Sequence, residues 1–109
     1  MANYYEKTER YLQSAGMSFF VNRVEEILLN IEKLKIKEEK IKLIEKYFAN
    51  QEGYSDKDIS GTRVRVNSVI KIIKENNIEY VLNKIIESKK VPLSTVTKAR
   101  KILEQQFKK

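Results

Sequence analysis

Ser94, Lys98, Lys101 and Gln105 follow one another at steps of four, three and four residues. On a helix turning about 100° per residue, that spacing lines a hydroxyl, two ammonium groups and a carboxamide along one face, with Thr97 and Lys108 beside them. The chemistry of such a row is hydrogen-bond donation and neutralisation of negative charge, not the making or breaking of bonds. Lysine donates to guanine edges, glutamine pairs with adenine, and hydroxyls reach bases or phosphates; a single helix fits the major groove of duplex DNA. The free N–H groups of a first turn over residues 94–97, Thr95 included, suit a phosphate. Lys89 and Lys90 in the preceding turn extend the contact set. Arg100 sits at the edge of the apolar face, where it serves equally as a phosphate contact or as an ion-pair partner of Glu79 or Glu87.

The charge balance singles out the same segment. Of 22 basic and 15 acidic residues, residues 1–54 hold 9 of each, residues 55–88 hold 6 and 5, and residues 89–109 hold 7 and 1. Surplus positive charge gathered in the last fifth of a chain points to an anionic partner, although cations near a helix C-terminus also suit its dipole. The chain has neither cysteine nor histidine. Thiolate nucleophiles, disulfides, zinc–thiolate sites and imidazole general bases are therefore excluded. Glu25-Glu26 and Glu38-Glu39 lie among lysines, as solvated i, i+4 partners do. With no Gly-rich phosphate loop, no metal-ligand cluster and no nucleophile–base pair, the chain is expected to be no enzyme and to use no metal, cofactor or small-molecule substrate. Tyr47, Phe48 and Tyr54 either stack on bases or anchor core and loop. The polar N-terminus and apolar runs of only about four residues, against the roughly 20 of a membrane span, predict a soluble cytoplasmic protein.

The elements that must position these residues are helical. Three glycines and one proline punctuate 109 residues. Segment 3–15, with Tyr4, Tyr5 and Tyr11 packing, is expected to end before Gly16. Ser18 caps a helix to about residue 35, with Phe20, Val24, Ile27, Ile31 and Leu34 on one stripe. Ile41, Ile44 and Phe48 mark either a second helix over 37–50 or the continuation of one long helix. Residues 50–58 form a loop. Arg63-Val64-Arg65-Val66 alternates like a strand, yet Val66, Val69, Ile70 and Ile73 favour a helix over 62–75, broken at Asn76-Asn77. Ile78, Val81, Leu82, Ile85 and Ile86 predict an amphipathic helix over 78–88. A turn at 89–92 with Pro92, a cap at Ser94 and a last helix over 95–107 follow. That last helix buries Val96, Ala99, Leu103 and Phe107.

The expected fold is all-α, a compact single-domain bundle of about five helices. Residues 1–50 supply a scaffold or a homodimer surface, and residues 55–109 end in a helix-turn-helix-like pair, 78–88 and 95–107. A second helix-turn-helix candidate overlaps it: Ile59, Val64, Val69 and Ile72 within 56–74, with Asn67, Ser68 and Lys71 as contacts. By default Asn67 and Ser68 are helix-start residues.

The segment VPLSTVTKARKILEQQF resembles the C-terminal signature of small helix-turn-helix-like proteins of phages and prophages of low-GC Gram-positive bacteria. The matching positions are Pro92, Val96, Lys98, Arg100, Lys101, Ile102 and Leu103. Lys98 stands where the signature usually has arginine, Ala99 precedes a single Arg100, and the glutamine is shifted to Gln105. The resemblance covers about the last 30 residues and implies a phage or mobile-element protein that touches DNA; the expected function is regulatory binding of double-stranded DNA. The rival expectation is a phage-made inhibitor or adaptor that docks the same basic helix on an acidic, DNA-like surface of a host nucleic-acid enzyme.

Overall fold

Gly16 closes the first helix as its type predicts. The computed structural model describes residues 5–107, so Tyr4 and Lys108 lie outside the described residues. Helix α1 runs Glu6–Ala15 and α2 runs Met17–Leu29, with Gly16 alone between them at φ +84°. The Gly16 N–H donates to the Leu12 carbonyl (2.8 Å) and its own carbonyl accepts from Phe20 (3.0 Å), so one residue ends one helix and begins the next. A positive φ there costs glycine little.

The helix expected over 18–35 is shorter. Asn30 ends α2: its amide donates to the Glu26 carbonyl at 2.8 Å, a side-chain bond that competes with helix continuation. A 3₁₀ turn at Lys33–Lys35 keeps Leu34 buried, and extended Ile36 (ψ 121°) resets the chain. Helix α3 then spans Lys37–Ala49, which resolves 18–50 into two helices. Its buried residues are Ile44 and Tyr47; Ile41 is exposed and Phe48 half-buried, so the stripe is rotated from the expected one.

Helix α4, Ile59–Lys74, starts three residues before the expected position because Asp58 caps it, accepting from the Ser60 N–H at 3.0 Å. Asn67 and Ser68 therefore lie mid-helix rather than at a start. Residues 59–74 are one unbroken helix, so the helix-turn-helix candidate over 56–74 is not formed. The strand-like alternation at 63–66 is helix as well. Asn76, in the left-handed region at φ 58°, and Asn77 separate α4 from α5 (Ile78–Glu87). Helix α6 is Leu93–Phe107. Its first turn is closed by the Pro92 carbonyl, which accepts from Thr95 (3.0 Å) and Val96 (3.2 Å). Ser94 is thus inside the helix and does not cap it.

The described residues hold six α-helices, not about five, and no strand. The Cα radius of gyration, 13.5 Å, is close to the roughly 13 Å of a compact chain this long. Helix α4 is central, packed on α1, α2 and α3, while α6 sits on α5 and α2. Phe20, Val24, Ile27, Tyr47, Val66, Val69, Ile72, Leu82 and Ile85 are buried in the core these helices share.

A polar network joins three of the pieces. Arg65 Nε donates to Asp56 Oδ2 (3.0 Å), Nη2 to Asp56 Oδ1 (3.1 Å) and Nη1 to the Ala15 carbonyl (2.7 Å). Thr62 Oγ1 donates to Asp56 Oδ2 at 2.9 Å. Gln51 brackets the loop, accepting from the Asp56 N–H (2.6 Å) and donating to the Asp56 carbonyl (3.1 Å). The close approach needs Gly61, where a Cβ would come within 3.0 Å of the Asp56 carboxylate carbon. Breaking one partner of a largely buried ion pair leaves the other uncompensated. Asp56→Ala is therefore expected to lower the unfolding free energy by about 3 kcal/mol. Arg63→Ala, two residues from Arg65 and exposed, should stay within about 0.5 kcal/mol. Urea denaturation of the two variants checks this, and equal losses would remove the network from its role.

Candidate nucleic-acid interface

The basic helix α6 is held by two neighbours. Ser88 N–H closes α5 on the Ile85 carbonyl (3.1 Å), and Ser88 Oγ accepts from the Lys90 N–H (3.1 Å), which shapes the turn into Pro92. Ala99, Ile102 and Leu103 are buried, and Val96 is half-buried. Phe107, expected on the buried face, is 38% exposed. The reason is length: α5 has 10 residues and α6 has 15, so at about 1.5 Å per residue the last turn of α6 overhangs its partner.

Toward α2 the seam is polar. Ser18 Oγ lies 3.4 Å from Thr95 Oγ1, and Lys98 Nζ donates to Asn22 Oδ1 at 3.1 Å. Both pairs advance along the two helices together, so α2 and α6 run side by side in the same direction. Between them opens a groove of about 760 Å³. Ser94, Thr97, Lys98, Lys101 and Gln105 line one wall with Leu93, and Glu25 of α2 faces them over Ile102. Leu93 is 79% exposed.

The structure thus brings together most of the residues singled out in the sequence, but not as an isolated ridge. Lys89, Lys90, Ser94, Thr97, Lys98, Arg100, Lys101 and Gln105 are exposed. Thr95 is the exception: it is half-buried and turned to Ser18, so it lies off the outer face. Lys98 is tethered to Asn22 at the groove. Among the described residues Arg100 forms no ion pair, so the alternative pairing with Glu79 or Glu87 is not made. Asn22, Glu25 and Leu93 belong to the site and were not anticipated. Pro92 at the helix entry was a signal for Leu93; the lateral match of α2 to α6, 76 to 77 residues apart, left none.

Tyr47, Phe48 and Tyr54 are not offered as base-stacking platforms. Tyr47 is fully buried, with Oη donating to Glu26 Oε1 at 2.7 Å and the Arg23 guanidinium 4.3 Å over its ring. Tyr54 Oη donates to the Tyr47 carbonyl, and its ring meets Phe19 edge-on at 4.9 Å. Phe48 is half-buried beside them, and its carbonyl accepts from Gln51. The adjacent glutamates diverge. Glu26 binds Lys46 (2.7 Å) and Tyr47, while Glu25 faces the α6 groove. Among the described residues no cluster of acidic side chains could hold a metal, and no helix is long and apolar enough to cross a membrane.

The chain matches no family model, no curated protein and no solved structure.

Tyr47 also sets a pH response. Burial first, then the hydrogen bond and negative charge of Glu26, hold its phenol well above the ordinary value of 10.0. A folded-state value raised in this way contributes stability that is complete below pH 10 and is lost as pH rises, because only the unfolded chain readily releases the proton. Thermal melts at pH 8 and pH 11 should therefore show a steeper alkaline loss for the wild type than for Tyr47→Phe. Identical slopes would contradict it.

Proposed function

We propose that this chain is a small DNA-binding protein of regulatory type, from a phage or mobile element, which contacts duplex DNA through the outer face of α6 and the turn before it. The supporting observation is electrostatic. Residues 89–109 hold seven basic residues and one acidic one, and among the described residues Lys89, Lys90, Arg100 and Lys101 are exposed and in no ion pair. Unpaired surface cations displace counterions from DNA and supply most of the non-specific affinity. Ser94, Thr97, Lys101 and Gln105 would face base edges, and Lys89, Lys90 and Arg100 the phosphates. In this scheme α5 is the supporting helix and α6 the reading helix. The connection over residues 88–92 is longer than the compact three- to four-residue turn, so the pair is helix-turn-helix-like. The phage assignment rests on the resemblance of residues 91–107 alone.

One observation favours a second reading, a phage-made inhibitor or adaptor bound to an acidic host protein. The groove between α2 and α6 is lined by exposed Leu93 and by Ile102, together with Lys98 and Lys101 of α6 and Glu25 of α2. An apolar side chain flanked by carboxylates on a partner would fit it. Recovery of one host protein from lysate after nucleic acid has been digested distinguishes this reading.

For the DNA reading, the log of affinity should fall linearly with the log of salt concentration. Lys90→Ala/Arg100→Ala should reduce the slope by about 2, roughly one per lost phosphate contact. Lys98→Ala, whose ammonium is engaged by Asn22, should change it less. Fluorescence anisotropy on a random duplex across a salt series measures both, and an unchanged slope in the double variant sinks the assignment.

A further inference from the structure

We propose that α4 presents a second phosphate-binding face, turned away from α6, so that one molecule holds two segments of duplex nucleic acid at once. The inference rests on the reading of α6 as a DNA-contacting helix and extends it to a bridging role.

Helix α4 contains Arg63, Arg65, Lys71 and Lys74 and neither aspartate nor glutamate. Arg65 is consumed by Asp56. The other three are exposed, and among the described residues none is in an ion pair. With Asn67 they step by four, four and three residues along one stripe, about 16 Å from end to end at 1.5 Å per residue. Lys40 of α3 reaches into the stripe, its ammonium donating to Asn67 Oδ1 at 3.0 Å. Lys71 lies 5.3 Å from the Tyr11 ring centre, which holds its stem in place and leaves its charge uncancelled. The flanking acids lie at the ends: Asp58 caps the N-terminus on Ser60, and Glu75 follows the last turn. Four cations over about 16 Å are about one per 4 Å, close to the roughly 3.4 Å spacing of phosphates along one strand of a duplex. They form no concave pocket for a small anion. The net charge of residues 55–88 hides this face, because the acids of that segment lie outside α4.

The two basic faces are separated by α2. The buried residues Phe20, Val24 and Ile27 of α2 lie about half a turn from Ser18 and Asn22, which meet α6. Helix α4 packs on α2 within the core, whereas α6 lies on the other flank. Packed helix axes are about 8–10 Å apart, so with α2 between them α4 and α6 stand at most about 16–20 Å apart. On α4 the stripe Arg63, Asn67, Lys71 and Lys74 is about a third of a turn from buried Val66, Val69 and Ile73, which puts it on the outside.

A two-duplex capture assay with the full chain tests this. Bead-bound random duplex is incubated with protein and then with a fluorescent duplex of unrelated sequence at low salt. Wild type should retain the second duplex. Arg63→Glu/Lys74→Glu, both at exposed positions, should bind a single duplex within about two-fold of wild type while retaining the second at least about ten-fold less. Circular dichroism melts of the variant should overlay those of wild type. Equal capture by the variant, as a dimer using two α6 faces would give, overturns the proposal; so does a wild type that binds single duplex yet captures none, and that result leaves the α6 reading standing. Absence of any duplex binding by wild type removes both. Tighter retention by polyglutamate than by duplex, lost in the α4 variant, assigns the face to an acidic protein and overturns the nucleic-acid proposal.

Discussion

The guanidinium of Arg65 is the point on which the architecture turns. It binds Asp56 of the 50–58 loop and the carbonyl that ends α1, from a position in the middle of the central helix. An arginine can do this because its donors are fixed in a planar fork; a lysine ammonium is a point charge and cannot span both acceptors with the same geometry. The consequence is positional. The junction of α1 and α2 is held against α4, the loop after α3 is closed over α4's start, and α2 is set at the angle that α6 later meets. Gly16 is part of the same constraint, because a Cβ there would stand 2.7 Å from Arg65 Nη1.

That internal ion pair also governs what the surface offers. Asp56 takes up the one α4 cation that points inward, so the remaining basic residues of α4 are left for solvent or a partner. Elsewhere some of the acids are paired: Glu6 with Arg10, Glu32 with Lys35, Glu26 with Lys46, Glu9 with Lys84. Around α6 the only opposing carboxylate that lines the described groove is Glu25. Among the described residues, exposed cations in no ion pair are thus found on the outer sides of both α4 and α6.

Much of this architecture was legible in residue types that act locally. Gly16, Asn76-Asn77 and Pro92 mark breaks for backbone reasons that need no tertiary context, and the periodic apolar residues of 78–88 and 95–107 name the faces that are buried. The errors have long-range causes. Asn30 stops α2 although the apolar stripe runs on through Ile31 and Leu34, because a local carboxamide bond outweighs a periodicity that a tighter turn can also satisfy. The cap at Asp58 was not anticipated, and the place of Gly61 in the first turn of α4 follows from the approach of Asp56. Thr95 was named a contact for its place in the first turn of α6, yet that place contains no information about α2 lying beside it. The groove, with Glu25 as its far wall, was illegible for the same reason: it is made by two segments whose register is set by the fold between them.

Two helices lying side by side and pointing the same way cannot be joined by a short hairpin; everything from residue 30 to residue 92 is in effect the crossover that connects α2 to α6. Loop-closure entropy rises only slowly with length, so this long detour costs the finished molecule little. Its effect falls on the order of events. Contacts between residues near in sequence form before distant ones, and the Ser18–Thr95 and Asn22–Lys98 seam spans most of the chain. The seam between α2 and α6 is accordingly the last wall to close, after α6 has met its sequence neighbour α5.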